Sequence, residues 1–108
     1  MPSDILLADC HTHLDQYPSA EMTEILERAG DSGVIFAVCA GTTLQSSQDC
    51  IDLADQHEPL FAGVGIHPME AQDPVTDEIY AELERMAKSS SKVICISEVG
   101  LDYLPASP

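Results

Sequence analysis

Four short apolar runs punctuate the chain: Ile5 to Ala8, Val34 to Cys39, Leu60 to Val64 and Val93 to Ile96. They are near-continuous rather than alternating, the pattern of strands covered on both faces in a parallel sheet. Between them, three stretches carry apolar residues at helical spacing. Met22, Ile25, Leu26 and Ala29 fall at i, i+3, i+4 and i+7, with Ser19 expected as N-cap and Gly30 as the stop. Cys50, Leu53, Ala54 and His57 repeat that spacing and Pro59 closes the segment. Ile79, Leu83 and Met86 mark a third stripe, with Asp73-Pro74 expected to supply its cap and a proline at the first helical position. The predicted order is β-α-β-α-β-α-β in units of about thirty residues, the size of a βα repeat. No linker or low-complexity tract interrupts it, so residues 1–108 read as one continuous piece of α/β architecture.

Composition narrows the function classes. Against 19 acidic residues stand only 4 basic ones, for a formal net charge of -15. Such a chain has no broad Lys/Arg footprint for nonspecific nucleic-acid binding, and it would be repelled by an anionic membrane surface. A hydrophobic fraction of 44% excludes a disordered acidic tail. No apolar stretch approaches the roughly 20 residues of a membrane span, and Ile5-Leu6-Leu7-Ala8 has no basic leader and is ended by Asp9. The four cysteines, Cys10, Cys39, Cys50 and Cys95, form no CxxC pair; reduced thiols in the cytoplasm are the expectation. Cys10, Cys39 and Cys95 are expected to be small buried residues.

The polar residues of chemical interest cluster behind the strands. Asp9-Cys10-His11-Thr12-His13-Leu14-Asp15 follows the first, Gly65-Ile66-His67-Pro68 the third, and Glu98-Val99-Gly100-Leu101-Asp102-Tyr103 the fourth. In a parallel sheet these segments share one rim, where the sites of α/β proteins lie. On an extended segment His11 and His13 point to the same side, about 6–7 Å apart along the backbone, and two neutral imidazoles can hold one divalent ion. Asp9 shares their parity and would orient a ligand by accepting a hydrogen bond. Glu98 ends a buried strand, where a carboxylate is costly unless paired or bound to metal; with so few basic residues, metal is favoured. His67, in a turn, would ligate, shuttle protons or contact an oxyanion, or bond to backbone. His57, before Pro59, reads as structural or solvent-facing. Nucleotide fingerprints and the GxSxG elbow are absent, and Cys10 beside His11 is poorly placed for thiol catalysis, because neighbours in a strand point to opposite faces.

These motifs together resemble the TatD family of metal-dependent hydrolases. Asp9 to Asp15 resembles its opening D-x-H-x-H-L-D, Gly65 to Pro68 its G-[IV]-H-P, and Ser97 to Tyr103 its G-E-[IV]-G-L-D-Y. The resemblance implies a (β/α)8 TIM barrel of the metal-dependent hydrolase type, of which this chain holds the first four βα units, ending after strand four. It also implies hydrolysis of phosphodiester bonds in DNA at one or two divalent ions (Zn, Mn or Mg). His11 and His13 would bind metal. Glu98 would bind or bridge metals as the catalytic carboxylate, and Asp9, His67 and Asp102 would support the site or touch substrate. Ser97 departs from the family's glycine before the glutamate. A barrel of this kind takes about 250 residues, and the later histidine and aspartate ligands of the family have no counterpart here. The chain is therefore expected to be the N-terminal half of the domain, inactive alone and prone to self-association through exposed strand edges. Its substrate would be DNA or another phosphoester. The alternatives are another HxH metal hydrolase acting on amides or phosphomonoesters, and a non-catalytic, self-associating half barrel.

Overall fold

The computed structural model describes residues 5–71 and 73–103. Four strands, β1 (Leu7–Thr12), β2 (Val34–Ala40), β3 (Leu60–Val64) and β4 (Val93–Ile96), form one parallel sheet in the order β1-β2-β3-β4. Three helices, α1 (Met22–Asp31), α2 (Leu44–Gln56) and α3 (Asp77–Lys88), make the crossovers. Parallel strands need such crossovers, and sequential strands then lie side by side. This is the four-strand start of a TIM barrel, the architecture predicted.

The elements match the predicted order, but their ends differ. β1 starts later than its apolar run and continues through Asp9, Cys10, His11 and Thr12. Pairing with β2, not hydrophobicity, fixes its length. Ser19 does not cap α1; it opens a short 3-10 turn, Ser19–Glu21, that leads into the helix. Gly30 lies inside α1, and the chain turns out at Gly33, whose φ of 96° suits glycine. At α2 the cap is Thr43, in a reciprocal box with Ser46. At α3 it is Thr76, whose hydroxyl accepts from the Ile79 N–H, not Asp73.

The core lies between the sheet and the helices. Met22, Cys39, Cys50, Ala54, Leu60, Ala62, Val64 and Met86 are buried together there. A fully buried side chain such as Leu60 contributes about 2 kcal/mol. Small residues let α2 press onto the sheet. A Cβ on Gly41 would run into the Cα of Ser47, and Ser47, fully buried, bonds through its hydroxyl to both the N–H and the carbonyl of Gly65. That clamp holds the chain just past β3, where His67 follows.

Cys39 is buried as expected, but Cys10 and Cys95 are exposed. They lie on the flanking strands, whose surfaces the described residues leave open. Leu7, Ile94 and Ile96 on the same strands are likewise about half exposed or more. No helix among the described residues is long and apolar enough to cross a membrane.

Candidate metal centre

An irregularity in β1 decides which of its side chains reach the site. Asp9 pairs with Ala37 and Thr12 with Cys39, so three steps along β1 match two along β2. This is a β-bulge, and its extra residue resets the alternation of side chains. Asp9 and Thr12 fall on the helix-facing side with Ala37 and Cys39. Cys10 and His11 share the opposite side, and His13 joins them beyond Thr12. Asp9 accordingly lines an apolar cavity with Ile25, Leu26 and Ala29 of α1, while its carboxylate accepts the His11 N–H at 3.2 Å. It steadies the backbone of the bulge rather than a ring nitrogen. Cys10 and His11 thus lie on one face, contrary to simple alternation. Burial, and then the neighbouring Cys10 thiol, push the Cys95 thiol pKa up.

Four predicted residues meet beside the carboxyl ends of the strands. One oxygen of Glu98, Oε1, lies 2.6 Å from His11 Nε2 and 3.5 Å from His13 Nε2. The other, Oε2, lies 3.6 Å from His67 Nε2. The His11 and His13 rings meet edge to face with centroids 5.0 Å apart. Glu98 is held with φ at 52°, in the left-handed region that a non-glycine residue occupies at a cost. Its side chain is only 14% exposed, and none of the four basic residues neutralises it. Arg28, Arg85 and Lys88 pair with Glu24, Glu82 and Glu84, while Lys92 donates to the carbonyls of His57 and Glu58.

Backbone contacts assign the ring tautomers. A carbonyl can only accept, so the 3.0 Å contact between His13 Nδ1 and the Ala40 carbonyl makes Nδ1 the donor. In neutral His13, Nε2 is then the lone-pair nitrogen, and it is the one that faces Glu98. His67 is fixed the other way. Its Nδ1 accepts the Met69 N–H at 3.0 Å, so neutral His67 carries its proton on Nε2 and presents a donor. The His67 N–H donates to the Thr42 carbonyl at 2.8 Å, which sets the residue at the rim.

The ligand atoms of His11, His13 and Glu98 lie within 4.8 Å of one another. Imidazole nitrogen and carboxylate oxygen suit a divalent ion, and His13 already has the outer hydrogen bond typical of a metal-bound histidine. The residues therefore fit a metal. His67, as a donor, stands beside this set rather than in it. Asp102, four residues beyond Glu98, is half-buried. His57 ends α2, where its N–H bonds to the Leu53 carbonyl, far from this chemistry in role.

Contacts that residue types alone did not reveal complete the picture. The Ala40 carbonyl orients His13. Glycines at 63 and 65 make room for Ser97: a Cβ on Gly65 would collide with the Ser97 carbonyl oxygen, and one on Gly63 with the Ser97 side chain. The Ser97 hydroxyl is buried without a hydrogen-bond partner among the described residues. Asp15, two residues past His13, accepts from the Cys39 thiol at 3.4 Å. The aspartate in the H-x-H-L-D run was the available signal for that anchor.

A parallel βα sheet with histidines and a glutamate gathered at its carboxyl rim is the start of a barrel with a site whose side chains fit a metal ion. The TatD related DNase family model matches residues 8–108, and the chain belongs to that family. It is 33% identical over 103 residues to the metal-dependent hydrolase TatD of Mycobacterium tuberculosis, covering 92% of this chain and 38% of that protein. It is 31% identical over 99 residues to the deoxyribonuclease Tat-D of Schizosaccharomyces pombe, covering 84% and 30%. The crystal structure of YjjV, a TatD homologue from Escherichia coli, superposes with a TM-score of 0.79 at 28% identity, over 90% of this chain and 38% of that one. The chain thus spans less than two-fifths of the length of these relatives.

Proposed function

We propose that this chain supplies the first part of the active site of a metal-dependent phosphodiesterase acting on DNA. The observation that carries the reading is the convergence of His11, His13 and His67 on Glu98. His11, His13 and Glu98 would hold a divalent ion; Zn and Mn suit the nitrogen-rich set, and Mg the carboxylate. When bound, the ion would lower the pKa of a coordinated water and offset charge on phosphoryl oxygens. The protein's own part is positional. Ala40 fixes the His13 tautomer, the bulge turns His11 inward, and the left-handed backbone at 98 aims the carboxylate. His67 Nε2–H offers a hydrogen bond to a phosphate oxygen. Asp102 is assigned a supporting role at the same rim.

The name of the fission yeast relative favours DNA over other phosphoesters. The charge distribution limits how DNA would be held. The four basic residues are occupied elsewhere, so phosphate contact falls to the metal and His67. The free cysteines suit a reducing, cytoplasmic setting. The open flanks of β1 and β4 favour association with a second copy, since exposed strand edges pair readily.

The test has two readouts. Titration of the purified chain with Mn or Zn should show one ion per chain, lost on chelation and in Glu98→Gln; no saturable binding would overturn the metal reading. Incubated with a labelled DNA oligonucleotide, the same sample should cleave at background, because its ligand set is partial. Metal-dependent cleavage at the rate of a full-length relative would overturn the inactivity. Sedimentation should find dimers or larger species, and a cooperatively folding monomer would overturn self-association.

A further inference from the structure

Behind the metal-site histidines, on the helix-facing side of the sheet, lies a second group with its own chemistry. Cys39, on β2, and Cys50, on α2, are both fully buried, and their sulfurs lie 2.8 Å apart. The Asp15 carboxylate accepts from Cys39 at 3.4 Å. The close approach is built into the packing. Gly41 and Ser47 draw α2 onto the sheet just above the pair, and Ser47 is itself clamped to Gly65. Asp15, Cys39 and Cys50 could also be taken for metal ligands, but the geometry argues against it. Two thiolates on one tetrahedral zinc, with bonds of about 2.3 Å, stand roughly 3.8 Å apart; sulfurs at 2.8 Å leave no place for an ion between them.

We propose that Cys39 and Cys50 are a modification site, a buried dithiol that peroxide converts reversibly to a disulfide between β2 and α2. In the first step the Cys39 sulfur attacks one oxygen of hydrogen peroxide. The O–O bond breaks, the thiol becomes a sulfenic acid, and one water leaves. The Cys50 sulfur then attacks the Cys39 sulfur, forming the S–S bond and releasing the second water. Two thiols are oxidised by two electrons, and one peroxide is reduced to two waters. An external dithiol reverses the change by exchange. The hydrogen bond to Cys39, and burial, hold Cys50 in its protonated form, its pKa driven far above the ordinary thiol value. The pair therefore reacts slowly, and small peroxide enters where larger oxidants do not.

Oxidation removes the Cys39 thiol proton that Asp15 accepts. Asp15 belongs to the 3-10 turn Leu14–Gln16 that directly follows His13, so this turn should loosen in the oxidised form.

The experiment uses the full chain with Cys10→Ser and Cys95→Ser, which removes the two exposed thiols. Peroxide should then lower the chain mass by two hydrogens, remove both remaining thiols from a titration of the unfolded sample, and yield a Cys39–Cys50 cross-linked peptide that dithiothreitol separates. In hydrogen exchange, the amides of Gln16 and Tyr17 should exchange faster after oxidation. Stepwise addition of oxygen with no cross-link would overturn the proposal, as would two intact thiols under conditions that oxidise the unfolded chain. Unchanged exchange at 16 and 17 would overturn the link to Asp15. If the double variant fails to fold, peptide mapping of the oxidised wild-type chain gives the same decision: a Cys39–Cys50 cross-link supports the site, and cross-links confined to Cys10 and Cys95 overturn it. None of these readouts depends on metal binding, so they stand or fall apart from the proposed function.

Discussion

The middle of the sheet and its flanks serve different ends. In the middle, β2 and β3 lie under α2, and Leu60, Ala62 and Val64 are completely buried. At the flanks, Leu7 of β1 is 51% exposed and Ile96 of β4 is 59% exposed. Yet the candidate metal ligands come from the flanks: His11 and His13 from β1 and its exit, Glu98 from the exit of β4. The middle supplies their supports, through the Ala40 carbonyl for His13 and the Thr42 carbonyl for His67. Burial energy is concentrated where no ligand sits, and the strands that carry the ligands expose half or more of their large apolar side chains. The site therefore depends on a buried centre to keep two exposed edges in range of each other.

Substitutions can break this division of labour, and their effects should fall in a definite order. Gly65 joins the two regions, and Gly65→Val forces a side chain into the Ser97 carbonyl. Because main chain cannot yield as a side chain does, urea unfolding should show a loss of about 4 kcal/mol, with ion binding lost too. Leu60→Ala empties the centre alone. It should cost about 3 kcal/mol by the same measurement, while leaving the ion affinity of the folded chain nearly intact; a parallel fall in affinity would mean the regions are not separable.

Glu98→Gln tests the flanks alone. Calorimetric titration should show ion affinity falling by more than the roughly 100-fold that loss of an outer support can cost, with stability little changed. Thr43→Ala removes the α2 cap and should cost about 1 kcal/mol, without altering ion binding. The smallest effect is expected at Ser97. Ser97→Ala deletes the unpartnered hydroxyl and should raise stability by up to about 1 kcal/mol; a loss instead would show that the hydroxyl serves a contact in the working site.

Much of this organisation could be read along the chain. The apolar runs located the four strands, although only β2 and β3 are covered as that pattern predicts while β1 and β4 stay open, and helical spacing located α1, α2 and α3. Element ends were harder. Thr43 and Thr76 cap helices where the pattern pointed to other residues or to none, because a cap is chosen by which hydroxyl the chain path brings to a free N–H. His11, His13, His67 and Glu98 were legible as candidates because strand ends in a parallel sheet share a rim. Asp9 was misjudged in parity, and Cys10 with it, since a bulge is defined by pairing with β2 and leaves no mark in hydrophobicity.

By itself, then, the sequence determined the order of elements, the rim and the ligand types, all consequences of local periodicity and of strand direction. Only the tertiary structure decided that the ligands meet. β1 and β4 are the opposite edges of a four-stranded sheet, and strands about 4.8 Å apart would separate those edges by roughly 14 Å if the sheet were flat. His11 nevertheless lies 2.6 Å from Glu98. Twist curls the sheet toward a barrel, the bulge turns His11 inward, and the left-handed backbone at Glu98 carries its carboxylate back across the opening. Each depends on contacts between residues distant in the chain, which local patterning does not encode.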